Sequence, residues 1–249
     1  MARNLVALLA VTVLLGVAHP RLLVFQNNLP QTLWVGALGK AGKAAPNNGG
    51  WTMYPGQQVR VNVEETWAGR FWARTGCQFD NSGYGFCETG DCSGRLRCLG
   101  AAGAPPATLA EFTLYGWQGQ DTYDVSNVEG FNVPIQITPL AAIASPYNPY
   151  RCGAAGCRAN LLPNCPSALR QYSRSGRVIG CKSACIAFNA DHFCCRGLYA
   201  SAQNCDPARW PVNYPAYFKG ACPGAFSYSF DNATSTFSCA KNGYRINFG

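Results

Sequence analysis

The chain has 249 residues, with fourteen cysteines, 27 glycines and a formal net charge of +8. That length suits one large β domain with an insertion, or two small domains, with a sizeable core. The even cysteine count excludes an obligatory odd thiol, and the absence of any Cys-x-x-Cys pair, with only two histidines, argues against a zinc site.

Met1 to Ala18 carries one early positive charge, Arg3, then an apolar run from Leu5 to Leu15 and the small residues Gly16-Val17-Ala18. The run is too short to span a bilayer and reads as a cleaved secretory signal over residues 1–18. Secretion and seven disulfides are therefore expected together. No later segment is apolar enough for a membrane helix, so no stable membrane insertion is expected. Leu22 to Phe25 and Leu33-Trp34-Val35, separated by Pro30, predict two strands, and the Gly-, Ala-, Pro- and Asn-rich stretch 39–50 predicts a loop. Val59-Arg60-Val61-Asn62-Val63 alternates strictly, as a strand with one face in a core does. Arg70 to Arg74 predicts another strand, with Arg70, Trp72 and Arg74 on one face.

Residues 83–98 crowd glycine and cysteine together: Gly83, Gly85, Cys87, Thr89-Gly90-Asp91-Cys92, Gly94 and Cys98. Glycine permits the tight turns, and with Cys77 the segment has its own even set of four cysteines, enough to close a small knot. Gly100 to Ala107 reads as a connector. Thr108 to Leu114 places Glu111 among apolar residues, and Phe131 to Ile137 alternates, with Pro134 marking an edge or a bulge. Cys152 to Cys222 is dense in cysteine and poorly patterned. Only Gly180 to Asn189 suggests a short helix there, so this insertion is expected to be held by disulfides rather than by a core. Phe226 to Phe230 and Tyr244 to Phe248 alternate again and predict strands. Strands at both ends with a disulfide-rich insert before the last pair suggest an antiparallel β sandwich. Asn232-Ala233-Thr234 is an N-glycosylation acceptor.

Charge is unevenly spread. Between Cys98 and Tyr150 there is no Lys or Arg, yet Glu111, Asp121, Asp124 and Glu129 lie there. Such a block is either a solvated acidic face or an acidic cleft.

The knot motif resembles the signature of the thaumatin-like proteins. Trp72-Ala73-Arg74-Thr75-Gly76-Cys77, Thr108-Leu109-Ala110-Glu111-Phe112, Gly130-Phe131-Asn132-Val133-Pro134 and Ala225-Phe226-Ser227-Tyr228 are similar to family blocks in family order. The resemblance implies a mainly β fold: a flattened antiparallel β sandwich with a disulfide-rich lobe carrying a short helix, and a small disulfide-bound loop domain. The corresponding division is 19–74, 112–158 and 223–249 for the sandwich, 75–111 for the loop domain and 159–222 for the lobe. Pure counting leaves about 135,000 cysteine pairings. The family pattern implies Cys77–Cys87, Cys92–Cys98, Cys152–Cys239, Cys157–Cys222, Cys165–Cys181, Cys185–Cys194 and Cys195–Cys205. An eighth bridge of many members is missing at both ends, where Leu29 and Gly249 stand.

The resemblance also implies a cleft lined by Arg70, Glu111, Asp124 and Glu129; a fourth acid is replaced by Gly224. Glycoside hydrolysis needs one protonated carboxyl and one ionised carboxylate. The expectation is Glu111 as acid and Asp124 as base, with Arg70 holding Asp124 or Glu129 ionised. Tyr115, Trp117, Tyr123 and Phe131 are candidates for stacking on sugar faces. The resemblance implies a secreted, monomeric, extracellular defence protein that binds β-1,3-glucan or another wall polysaccharide, with weak or absent endoglucanase activity and neither metal nor cofactor. A structural polar network, a non-enzymatic binder such as an enzyme inhibitor or receptor ligand, and a basic membrane-permeabilising protein are the alternatives. Nucleic acid is not an expected partner.

Overall fold

The structure is a computed structural model that describes residues 20–249. The expected signal segment, 1–18, lies outside the described residues. Five strands open the fold: β1 (Arg21–Asn27), β2 (Leu33–Gly39), β3 (Gly50–Met53), β4 (Gln58–Val63) and β5 (Ala68–Arg74). The knot contributes a two-stranded hairpin, β6 (Gln78–Phe79) and β7 (Gly85–Phe86). Then come β8 (Leu109–Thr113), β9 (Gln120–Ser126) and β10 (Ile135–Pro139). The cysteine-rich stretch holds β11 (Ala155–Gly156), the hairpin β12 (Arg170–Tyr172) and β13 (Val178–Cys181), and three short helices, α1 (Ala184–Phe188), α2 (Asp191–Cys194) and α3 (Tyr214–Ala221). β14 (Ala225–Phe226), β15 (Phe237–Ala240) and β16 (Tyr244–Phe248) close the chain.

Two sheets face each other. One has the order β11-β10-β16-β1-β4; the other runs β14-β9-β8-β5-β2-β3, with β15 also paired to β9. Most pairs are antiparallel, but β1–β16 and β9–β14 are parallel. Period-two alternation decides what fills the space between them. Leu23, Phe25, Ile137, Ile246 and Phe248 come from one sheet and Val35, Phe71, Phe112, Tyr123 and Val125 from the other. Each such large side chain, fully buried, contributes roughly 1.5–3 kcal/mol.

The other face of the second sheet has a different fate along its length. Trp72 packs under the knot with Cys92, Cys98, Ala107 and Leu109. Arg74 is fully buried there and donates to the carbonyl oxygens of Trp34 (3.0 Å), Val35 (3.1 Å), Arg95 (2.7 Å) and Leu96 (2.6 Å). Burial pulls its pKa down to about 10, opposed by nearby Asp91. Arg74 thus clamps the knot onto the sandwich, while Arg70, two pleats away on the same face, stays half-buried.

The seven disulfides join Cys77–Cys87, Cys92–Cys98, Cys152–Cys239, Cys157–Cys222, Cys165–Cys181, Cys185–Cys194 and Cys195–Cys205. In place of an eighth bridge, an ideal Cβ at Gly249 would lie 2.7 Å from Leu29 Cδ2, and Asn28 Nδ2 donates to the Gly249 carbonyl at 3.0 Å.

Several elements differ from the sequence expectation. The lobe is not held by disulfides alone: Phe131, Leu161, Leu169 and Phe218 form one small core with Cys165 and Cys181, and Ala184, Cys195, Cys205 and Trp210 another. The expected 180–189 helix is only α1, because Ser183 caps it (Ile186 N to Ser183 Oγ, 3.3 Å) and Cys181 ends β13. The alternating stretch from Phe131 becomes a strand only at Ile135. Phe131 instead exchanges two 2.7 Å backbone bonds with Cys181, and Asn132 is a buried hub donating to Ala73 O and Thr89 Oγ1, both at 2.8 Å. Likewise β14 stops at Phe226, since Asp231 takes both the Ser227 amide (3.0 Å) and its hydroxyl (2.7 Å) to make a turn. Leu109 to Glu111, placed by sequence in the loop domain, belong to β8 of the sandwich. Asn232 is exposed on a short 3-10 turn.

Candidate functional site

Three side chains are brought into one row by register. Arg70 on β5 is the direct partner of Glu111 on β8, and Glu111 is the direct partner of Asp124 on β9. Directly opposed residues have Cβ atoms about 4.5–5.5 Å apart, so the row runs Arg70, Glu111, Asp124 across the outer face of the sheet. Their neighbours Phe71, Phe112, Tyr123 and Val125 point the other way, into the core. Glu129 arrives from outside the sheet. After β9 the chain turns at Asn127 to Gly130, closed by a 2.8 Å backbone bond, and Gly130 sits at φ +94°, where a side chain would be strained and would also meet Cys181 O at 2.7 Å. That turn returns Glu129 to Arg70, Oε1 to Nη1 3.3 Å, with each side chain little more than a quarter exposed. Lys40 joins from the end of β2, its Nζ 3.3 Å from Thr113 Oγ1.

The two central acids are half-buried, and neither side chain has a hydrogen bond or ion pair among the described residues. Burial raises the Glu111 pKa; Arg70 opposes it, Glu129 adds to it and Lys40 opposes it. Burial pushes Asp124 up to about 8, with the Glu111 charge adding and Lys40 opposing. Geometry ranks the pair. Arg70 stands beside Glu111 and favours its ionised form, while Asp124 has Glu111 as its direct neighbour and must absorb that negative charge. Asp124 is therefore the more strongly raised of the two, whereas the expectation from sequence made Glu111 the acid because of its apolar chain neighbours; the charges that separate the pair lie across the strands.

The aromatic candidates divide. Tyr123 is not a platform: it is fully buried between Phe112, Phe237 and Tyr244 and donates its hydroxyl to Gly153 O at 2.6 Å. Phe131 is equally enclosed, in the lobe core. Both were core residues by alternation. Tyr115 is exposed, and its ring lies beneath Lys241 Nζ (5.1 Å), which pairs with Glu65 (2.9 Å). Trp117 is 82 % exposed on the β8–β9 connection. Lys40 is the member of the site that sequence reading missed; a lysine in a Gly- and Ala-rich loop carries no signal of its cross-sheet neighbours.

Asp121, the fourth acid of the base-free block, is elsewhere. It is fully buried, ion-paired with Arg21, and accepts from Tyr244 Oη (2.8 Å) and from the amides of Tyr115 (2.9 Å) and Asn242 (3.2 Å). At the position of the absent acid, an ideal Cβ on Gly224 would lie 3.2 Å from Gly156 O, and the Gly156 amide donates to Gly224 O at 2.7 Å. Cavities of about 470, 430 and 480 Å³ open on the knot, beside Trp34 and on the lobe, and none of the three is lined by Arg70, Glu111, Asp124 or Glu129. Among the described residues, no group of three His, Cys, Asp or Glu is arranged to hold a metal ion, and no helix is long and apolar enough to cross a membrane.

A family model described as the Thaumatin family matches residues 27–249. A pathogenesis-related thaumatin-like protein 3.5 from Cryptomeria japonica is 44% identical over 100% of this chain and 98% of its own length. A protein of Prunus avium named glucan endo-1,3-beta-glucosidase is 38% identical over 96% of this chain and 95% of its own. Among solved structures, a laminaripentaose-producing β-1,3-glucanase in complex with laminaritetraose superposes with a TM-score of 0.60 at 12% identity, covering 92% of this chain and 98% of that one, which is a likeness of fold.

Proposed function

The chain belongs to the thaumatin family, and we propose that it is a secreted defence protein that binds β-1,3-glucan of microbial walls along the row Arg70–Glu111–Asp124, with weak endoglucanase activity. The observation that carries the reading is that row: two carboxyls placed directly across adjacent strands, with Arg70 directly paired to Glu111 and not to Asp124. The name of the Prunus avium relative supports glucan as the substrate class, and seven disulfides suit an extracellular protein.

In this reading Asp124 donates its proton to the departing glycosidic oxygen. Glu111, kept ionised by Arg70, attacks the sugar or activates a water. The Arg70–Glu129 pair holds the guanidinium in place beside Glu111. Turnover is weak because the position after Pro223 has no carboxylate. The same observation favours a second reading, in which the row binds glucan and does not cut it.

Co-sedimentation with insoluble β-1,3-glucan, combined with a reducing-sugar assay, separates the two. The parent protein sediments and releases sugar, while Asp124→Asn and Glu111→Gln sediment without releasing any. Sedimentation with no release from the parent leaves the binding reading alone, and failure to sediment removes glucan from both.

A further inference from the structure

The knot carries a groove of its own, with the opposite charge. A cavity of about 470 Å³ is lined by Asn48, Asn81, Ser82, Tyr84, Arg95 and Arg97 among others, and no acid lines it. It lies in the size range of small-molecule sites. Arg97 has no hydrogen bond or ion pair among the described residues, and Arg95 only stacks its guanidinium 5.7 Å from the centroid of the Tyr84 ring. Tyr84 is 57% exposed, so the ring keeps a free face. The walls are pre-formed. Cys92–Cys98 closes one side, Leu96 N bonds Gly83 O at 2.8 Å, and the Arg74 clamp holds the Arg95 and Leu96 carbonyls.

The groove also continues. A second cavity, about 380 Å³, shares Asn48 and Leu99 with the first. Both shared residues are in the left-handed backbone region, Asn48 at φ 55° and Leu99 at φ 49°, and Leu99 N bonds Asn48 O at 3.1 Å. Leu99 is 61% exposed. Left-handed conformations at non-glycine residues of this kind gather at ligand clamps.

We propose that this groove binds a uronate-bearing polysaccharide, with sugar carboxylates on Arg95 and Arg97, a pyranose face on Tyr84, and hydroxyls on Asn48, Asn81 and Ser82. Arginine meets a carboxylate through paired N–H donors, aromatic rings accept the C–H face of a sugar, and side-chain amides match hydroxyls. A bare phosphate would engage the arginines and leave the ring and amides idle. Continuity into the second cavity favours a polymer over a single sugar. The acid row repels such a ligand, so the two sites take different glycans: neutral on the sheet, acidic on the knot.

The test is retention of the disulfide-intact protein on immobilised polygalacturonate at low and moderate salt, beside its fully methyl-esterified form and vesicles of phosphatidylserine and phosphatidylcholine. The parent binds the free-acid polymer, and Arg95→Ala/Arg97→Ala loses at least roughly tenfold in affinity. Arg60→Ala/Arg245→Ala, which removes the same charge from the exposed side of the other sheet, loses about twofold or less. Tyr84→Ala weakens binding with both arginines present. Equal losses from the two double variants would assign the binding to net charge and overturn the proposal. So would equal binding of the esterified polymer, or uptake by vesicles without retention on polygalacturonate.

Discussion

Asp121 and Asp124 stand three residues apart on β9 and live in different worlds. An odd spacing on a strand puts two side chains on opposite faces. Asp121 points between the sheets, where Arg21, Tyr244 and two backbone amides satisfy it. Asp124 points out of the sandwich, where it meets a second acid across the ladder and no hydrogen-bond donor. The first ties β1, β9 and the start of β16 together across the core. The second is half-buried with no side-chain hydrogen bond or ion pair among the described residues, and burial raises its pKa to about 8. Residue type is the same; the face of the pleat decides whether the carboxylate is satisfied in the core or left beside another acid.

The comparison is broken most severely at Asp121. Asp121→Ala leaves the Arg21 guanidinium, 7% exposed, buried without its counter-ion, and removing one partner of a buried pair costs on the order of 3–5 kcal/mol. Chemical denaturation at pH 7 should show that loss with no selective change in glucan binding of the folded fraction. Asp124→Asn should do the opposite. An amide has nearly the shape of the protonated acid, so the fold is kept while sugar release disappears. The pH dependence sharpens the contrast. Asp124 holds its proton up to about 8 in the folded protein and loses it near the usual carboxylate value when unfolded. The folded state therefore binds more protons between those values, and stability falls as pH rises through that window. Denaturation midpoints at pH 5 and pH 8.5 should differ more for the parent than for Asp124→Asn. Activity that depends on Asp124 as an acid should fall over the same alkaline limb.

How far the sequence reaches is visible in the same strand. Tyr123 and Val125 alternate with Asp124, so the burial of Tyr123 was legible, and proximity to the acids distracted from it. Asp121 was not legible, because its partner Arg21 lies 100 residues away and only the fold brings them together. The knot and its cysteines were readable because glycine and cysteine spacing is a local constraint. Phe131 misled for a related reason: alternation identifies a buried face without saying which core it enters. Helix α3 had its signals in plain view, Asn213 as cap (Ala216 N to Asn213 Oδ1, 3.1 Å) and Pro215 in the first turn, but the surrounding cysteines obscured them. Proton ranking within the acid row needed strand register, which no single segment contains.

Smaller changes tune the row. Gly224→Asp returns a carboxylate, but its Cβ must enter a backbone contact of 3.2 Å. A cost of about 1–3 kcal/mol is expected for such crowding, and a gain in sugar release at pH 5 to 6, read against the parent, would show that the missing acid limits turnover. Glu129→Gln is the mildest. The Arg70–Glu129 pair spans 3.3 Å with both groups partly exposed, and such pairs contribute about 0–1 kcal/mol, so the denaturation midpoint should barely move. Its electrostatic effect is larger than its stability effect. Glu129 raises the Glu111 pKa, and Arg70 lowers it. Without Glu129, Arg70 is left to Glu111 alone, Glu111 ionises more readily, and the acid limb of the activity profile should move to lower pH. An unmoved acid limb with an unchanged alkaline limb would mean that Glu111 is not the ionised partner, and the division of labour across the β8–β9 ladder would have to be redrawn.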